Sequence, residues 1–269
     1  MTKLESLAIA AFATLAINTA HAGTIQDNYY GATGTGDYIG TSKYDITGAS
    51  ITRVGNSLVI AINTVFTTET ISYGTNLSQK ITIGYGDLFL SDVWNPVGGA
   101  STKYATDSLA TTGTVWKYAL GIDTARFTAG AISNAVVSLY KLNTPTSIAA
   151  GVNGANINSS NTVMAGQNQN LSGLIYRTGQ ADTVNTSSGT VADTNKDGKL
   201  NVANGLVTFS MDITGTEMMN WTSFAMHWGE TCQNDVIEGI TSVVPEPGSM
   251  ALLGLGLLGM LAARRRKLV

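Results

Sequence analysis

Ser57-Leu58-Val59-Ile60-Ala61-Ile62-Asn63-Thr64-Val65-Phe66 sets the pattern that the chain follows. Leu58, Ile60 and Ile62 alternate with Val59, Ala61 and Asn63, and a period of two puts the first set on one face of an extended strand and the second on the other. The rhythm recurs in both directions. Ile81 and Ile83 lead KITIGYGDLFL, and short β-rich runs cover Tyr44 to Ile51, Val115 to Ile122, Ala135 to Leu142, Leu171 to Tyr176, Leu206 to Ile213, Phe224 to Trp228 and Val236 to Ile240. Gly, Asn, Asp or Ser bound most of them. No helical stripe longer than two turns interrupts the body. Short strands at this spacing predict an all-β sandwich or jelly roll. Residues 144–170, rich in Asn, Ala, Gly and Ser and short of large apolar groups, read as a flexible surface loop.

The two ends follow other rules. Met1-Thr2-Lys3 starts a weakly basic segment, Leu7 to Ile17 is apolar, and Ala20-His21-Ala22 is an A-x-A cleavage site before Gly23. This pattern predicts a signal peptide over residues 1–22. At the other end, Pro245-Glu246-Pro247-Gly248 precedes an apolar run from Ser249 to Ala263, followed by Arg264-Arg265-Arg266-Lys267. As a helix the run would extend roughly 22 Å, short of the about 20 residues that a comfortable crossing needs. Gly254, Gly256 and Gly259 weaken the helix further. The cations behind it resist crossing and stay cytoplasmic. The two prolines hold Glu246 in an extended, helix-incompatible peptide that a protease can reach.

This tripartite arrangement resembles the PEP-CTERM sorting signal of Gram-negative bacteria, carried here by Pro245, Glu246 and Pro247, the hydrophobic span, and Arg264, Arg265 and Arg266. The resemblance implies processing by an exosortase-like enzyme, transient anchoring in the inner membrane, and then a cell-surface or extracellular location. It divides the chain into a leader (1–22), an exported β-sandwich domain (23–243) and a sorting signal (244–269) with a transmembrane helix over 249–263. The stretches DNYYGATGTGDYIGTSKYDITGASITRVGNSLVIAINT, GDLFLSDVWNPVGG and FAMHWGETCQNDVIEG look like segments of exported PEP-CTERM proteins. They imply an exported β domain and no particular reaction. The role implied is a non-enzymatic surface or matrix protein associated with exopolysaccharide or biofilm. The rival is a carbohydrate-binding or polysaccharide-degrading protein on a jelly-roll scaffold.

Composition narrows the partners. The chain has 15 Lys and Arg against 18 Asp and Glu. Lys3 and Glu5 belong to the leader and four of the cations to the tail, so the body between them is acidic, with ten against seventeen. It has no basic run, which argues against nucleic acid. Cys232 is the sole cysteine, so no intrachain disulfide forms despite the oxidising export route. A buried, inert thiol is the simplest reading of it.

The sharpest local motif is Asp193-Thr194-Asn195-Lys196-Asp197-Gly198-Lys199-Leu200-Asn201. It fits D-x-[DN]-x-[DN]-G, the start of a calcium loop. Asp193, Asn195 and Asp197, the Lys199 carbonyl and a water near Asn201 would supply oxygens to Ca2+, with Gly198 at the sharp turn. Position twelve is Asn204, which lacks the bidentate carboxylate of a strong site, and no amphipathic helices flank the loop. The other reading is a hairpin in which KLNVA and LVTFSMDI are joined by Asn204-Gly205, a preferred type I′ pair, and the two readings are compatible.

Catalytic constellations are thin. With the leader removed, His227 is the only histidine. A Cys232–His227 dyad is one reading, and packing of His227 as an aromatic-like ring is the other. Glu230, Asp235 and Glu238 form a local acidic cluster that would serve either as a glycosidase-type pair or as solvated turn carboxylates. Among the aromatics Tyr29, Tyr30, Tyr38, Trp94, Trp116, Trp221 and Trp228, strand spacing favours core positions. Trp94, in the loop-like SDVWNPVGG, is the candidate sugar contact.

Overall fold

The computed structural model describes residues 21–27, 43–73, 79–96, 114–122, 125–142, 174–177, 182–184, 191–231 and 235–243. In chain order the strands are β1 (His21–Gln26), β2 (Ile46–Val54), β3 (Ser57–Thr64), β4 (Glu69–Tyr73), β5 (Gln79–Ile83), β6 (Leu88–Ser91) and β7 (Tyr118–Gly121). They continue as β8 (Ile132–Leu142), β9 (Leu174–Arg177), β10 (Asp182–Val184), β11 (Val191–Ala203), β12 (Leu206–Asp212), β13 (Ser223–Gly229) and β14 (Val236–Ser242). Ten of them form one sheet in the order β1-β2-β3-β12-β11-β8-β7-β6-β13-β14, with every neighbouring pair antiparallel. The pairs β4–β5 and β9–β10 stand as separate hairpins.

The expected all-β class holds. Where two sheets were expected, one ladder runs unbroken through ten strands and curls until its first and last members meet. The result is barrel- or sandwich-like, and curling of this kind follows from the right-handed twist accumulated between strands.

The alternation in residues 57–64 decides the inner face. Leu58, Ile60 and Ile62 are fully buried and stand opposite Met211, Phe209 and Val207 of β12. On the other side Ile60 faces Ile51 and Ile62 faces Ala49 of β2. Each such side chain contributes about 1.5–3 kcal/mol when withdrawn from water, so a slip by one residue would turn the whole row outward. Over β6, β7 and β13 the alternation ceases because both faces are covered. Leu88, Leu90, Tyr118 and Met226 face the main core. Phe89, Trp116, Ala119, Leu142 and Ala225 form a second cluster on the outer face, with Trp94 and Tyr140 packed against it. β9 lies against β13.

Element boundaries differ from the sequence reading where tertiary contacts intervene. KITIGYGDLFL divides into β5 and β6, and between them Tyr85 bridges to Glu230. The motif read as a calcium loop lies within β11. β1 begins at His21, so the expected cleavage before Gly23 would leave Gly23–Gln26 paired to Gly48–Ile51. The loop 144–170, the leader to residue 20 and the hydrophobic span 249–263 lie outside the described residues. Among the described residues no helix is long and apolar enough to cross a membrane.

Candidate functional site

The outer face of β13 and β14 carries a polar network inside an aromatic wall. His227 and Glu238 are direct cross-strand partners, and the imidazole Nδ1 lies 2.7 Å from Glu238 Oε2. Trp94 donates its indole N–H to the other carboxylate oxygen at 2.8 Å. The His227 ring stands 6.2 Å from Phe89 and 6.1 Å from Trp116, centroid to centroid. His227 and Glu238 are withdrawn from solvent. The packed-ring reading of His227 therefore describes its surroundings, with a carboxylate partner that the sequence did not pair to it. Cys232 lies outside the described residues. Trp94 is half-buried, its indole nitrogen turned toward Glu238. Trp116, Trp221 and Trp228 are buried as core aromatics, whereas Tyr29, Tyr30 and Tyr38 fall outside the described residues.

The remaining carboxylates of the acidic cluster are buried, where exposure at a turn was one expectation. Asp235 accepts the Ile46 N–H on Oδ2 at 2.6 Å and the Val236 N–H on Oδ1 at 2.9 Å. Glu230 accepts the Asp235 N–H at 3.2 Å. Thr231 accepts the Gly84 N–H through its hydroxyl and donates its own N–H to the Gly84 carbonyl. These bonds satisfy backbone groups where the ladder ends, the task that buried polar groups must perform.

Beside them lies an ion pair that sequence spacing could not reveal. Arg126 Nη2 is 2.8 and 2.9 Å from the two oxygens of Asp87, and both side chains are buried. Asp87 also accepts the Ile122 N–H, and Arg126 donates to the Tyr85 carbonyl. At the surface, Lys43 Nζ sits 2.7 Å from Glu69, which also accepts the Tyr44 hydroxyl. Partial burial works to raise the Glu69 carboxyl, but these two partners outweigh it and hold the group below its ordinary range.

The calcium-loop residues take up strand positions. β11 is interrupted by an irregularity between Asp193 and Asp197, where Asn195 has a φ of 53° and the Thr194 hydroxyl donates to the Leu139 carbonyl at 2.7 Å. Asp197 and Lys199 then point outward while Gly198, Leu200 and Val202 point inward. Asn201 Oδ1 accepts the Asn134 N–H at 2.8 Å. Same-face side chains in a strand are about 7 Å apart, and Asp197, Lys199 and Asn201 follow one another along one face of β11 beyond the irregularity. Gly198 serves close packing and not a turn: a Cβ there would lie 2.8 Å from Leu120 Cδ2 and 2.9 Å from the Ser210 carbonyl. The hairpin reading is realised. β11 and β12 pair in register through Asn204 (φ 53°) and Gly205 (φ 76°), the positive angles of a type I′ turn. Among the described residues no group of three or more His, Cys, Asp or Glu is placed to hold a metal ion.

The last described residue, Val243, is buried and donates its N–H to the Thr222 carbonyl at 2.9 Å. Only Val244 separates it from Pro245. Fold and tail together define a β-rich body whose final strand hands directly on to a C-terminal signal. Residues 243–267 match the PEP-CTERM protein-sorting motif, consistent with an exosortase substrate. The motif implies export with transient membrane anchoring through the C-terminal region, and processing by an exosortase-like enzyme. No curated protein and no solved structure matches the chain.

Proposed function

We propose that the chain is an exported, non-enzymatic protein of the cell surface or extracellular matrix, associated with exopolysaccharide. One observation carries the reading: the sorting motif at residues 243–267 follows the last barrel strand without a spacer domain, so the β body is itself the cargo. The buried carboxylates support it from the other side. Asp87, Asp235 and Glu238 hold an arginine, two backbone amides, and an imidazole with an indole, respectively, which are scaffold duties.

Mass spectrometry of the chain recovered from its native surface fraction tests the sorting step. A mature C-terminus near Pro245-Glu246-Pro247 is expected, and recovery with Arg264–Arg266 intact would defeat it. A glycan array of the processed chain, followed by turnover assays on any glycan retained, tests the role. Retention without turnover fits the matrix reading and names the polysaccharide. Turnover would replace it with a polysaccharide-degrading enzyme.

A further inference from the structure

The first and last strands of the sheet lie side by side in opposite senses. A Cβ built on Gly23 would fall 2.0 Å from Thr241 Oγ1 and 2.7 Å from the Ser242 carbonyl, and one on Gly239 would fall 2.7 Å from Ile25 Cγ2. Residue 23 thus neighbours 241, and residue 25 neighbours 239, an antiparallel register. The start of β1 and the end of β14 therefore share one end of the barrel. The apolar leader stands immediately before that start, and the sorting tail stands immediately after that end.

Because all neighbours are antiparallel, the same end holds the Gly55-Asn56 turn after β2, the residues that follow β6 and those that precede β7. Three exposed apolar side chains lie there: Val54 (38% exposed), Val93 (57%) and Val115 (40%). Single exposed valines are ordinary; three around the exit of two apolar segments form a pattern. The loops that carry Val93 and Val115 are tied to the strands. Ser91 donates its hydroxyl to the Val115 carbonyl at 2.6 Å, and Ser223 donates to the Asp92 carbonyl at 3.0 Å. Two ion pairs lie at this end, Lys117 with Asp92 at 2.9 Å and Lys141 with Glu217 at 3.3 Å, while Arg53 there donates to the Gly55, Met219 and Trp221 carbonyls and Asp212 accepts from Thr214. From Val243 to Ser249 the chain can stretch roughly 20 Å at most, so an inserted tail holds the body within that distance of the hydrocarbon layer.

We propose that this end is the membrane-facing end of the protein. While the tail holds the chain, Val54, Val93 and Val115 rest against the headgroup layer of the bilayer. The inference rests on the tail being inserted in the bilayer, and the test separates the two. Val93 and Val65 are matched probes: they are 57% and 59% exposed and sit at opposite ends of strands that span roughly 20 Å. The full chain, with Cys232→Ser and either Val93→Cys or Val65→Cys, is labelled with an environment-sensitive fluorophore and reconstituted into vesicles of phosphatidylethanolamine and phosphatidylglycerol containing a headgroup nitroxide lipid. If Cys232→Ser does not fold, the same pair is labelled with Cys232 present and the unsubstituted chain serves as the blank. Flotation with the vesicles and quenching at least threefold stronger at position 93 than at 65 is expected. Flotation with equal or reversed quenching overturns the orientation alone. A chain that does not float overturns both the orientation and the insertion of the tail.

Discussion

His227 and Glu238 face each other across β13 and β14 with Nδ1 and Oε2 2.7 Å apart, and neither side chain meets solvent. Glu238 is the common partner of the imidazole and of the Trp94 indole. Glu238→Ala removes both acceptors at once, and a loss of about 3 kcal/mol in urea unfolding is expected. Glu238→Gln keeps a carbonyl oxygen in place and should lose less than half as much. Equal losses would mean that the second carboxylate oxygen and its charge, and not packing volume, hold this site.

The Asp87–Arg126 pair makes a stronger demand because both side chains are buried. Arg126→Met should cost about 3–5 kcal/mol, since it strands a buried carboxylate. Adding Asp87→Asn should recover part of that loss, because the uncompensated charge is gone. A double variant that is worse than Arg126→Met by the full single cost of Asp87→Asn would show that the pair is not coupled.

The turn between β11 and β12 depends on two positive φ angles, 53° at Asn204 and 76° at Gly205. Gly205→Ala should lower stability by about 1 kcal/mol, whereas Asn204→Gly should change it by no more than a few tenths, since glycine tolerates the same angle. Thermal unfolding of the two variants checks this. An Asn204→Gly variant as damaged as Gly205→Ala would argue for a side-chain role at 204.

Gly198→Ala discriminates between the strand and the cation loop. In the strand the new methyl meets Leu120 and the Ser210 carbonyl, and overpacking of this kind costs about 1–3 kcal/mol. That loss should be the same in calcium and in chelator. A destabilisation seen only in calcium would sink the strand account of residues 193–199.

Glu69 supplies a dependence on pH. Its carboxyl is held below the ordinary carboxylate range in the folded chain, so its stabilising effect is complete above the unfolded pKa and disappears as the pH falls through the lower folded value. The pair is largely exposed, with Lys43 60% open to solvent, and it should contribute well under about 1 kcal/mol. Wild type should exceed Glu69→Gln in unfolding midpoint at pH 7, and the gap should close in acid. A gap that widens on acidification would reverse the sign argued here.

Period-two alternation in residues 57–64 and 206–212 was sufficient to assign those strands and their inner faces, because a strand half-covered by core writes its burial directly into the sequence. The Asn204-Gly205 turn was legible for a similar local reason: its backbone angles restrict the residues that fit. The sorting signal was equally legible, since a membrane responds to hydrophobic length and flanking charge regardless of fold. Asp193-x-Asn195-x-Asp197 was ambiguous because cation loops and strands both place like residues at every second position. The ladder to β8 and β12 shows the strand, which the local pattern alone did not single out. The partnerships of Asp87 with Arg126, Glu238 with Trp94, and Gly23 with Thr241 join residues far apart in the chain. Nothing in the local pattern encodes such pairings; they arise when the curling of one sheet brings distant strands together, and that is why the end of the barrel from which both termini leave was settled by tertiary structure alone.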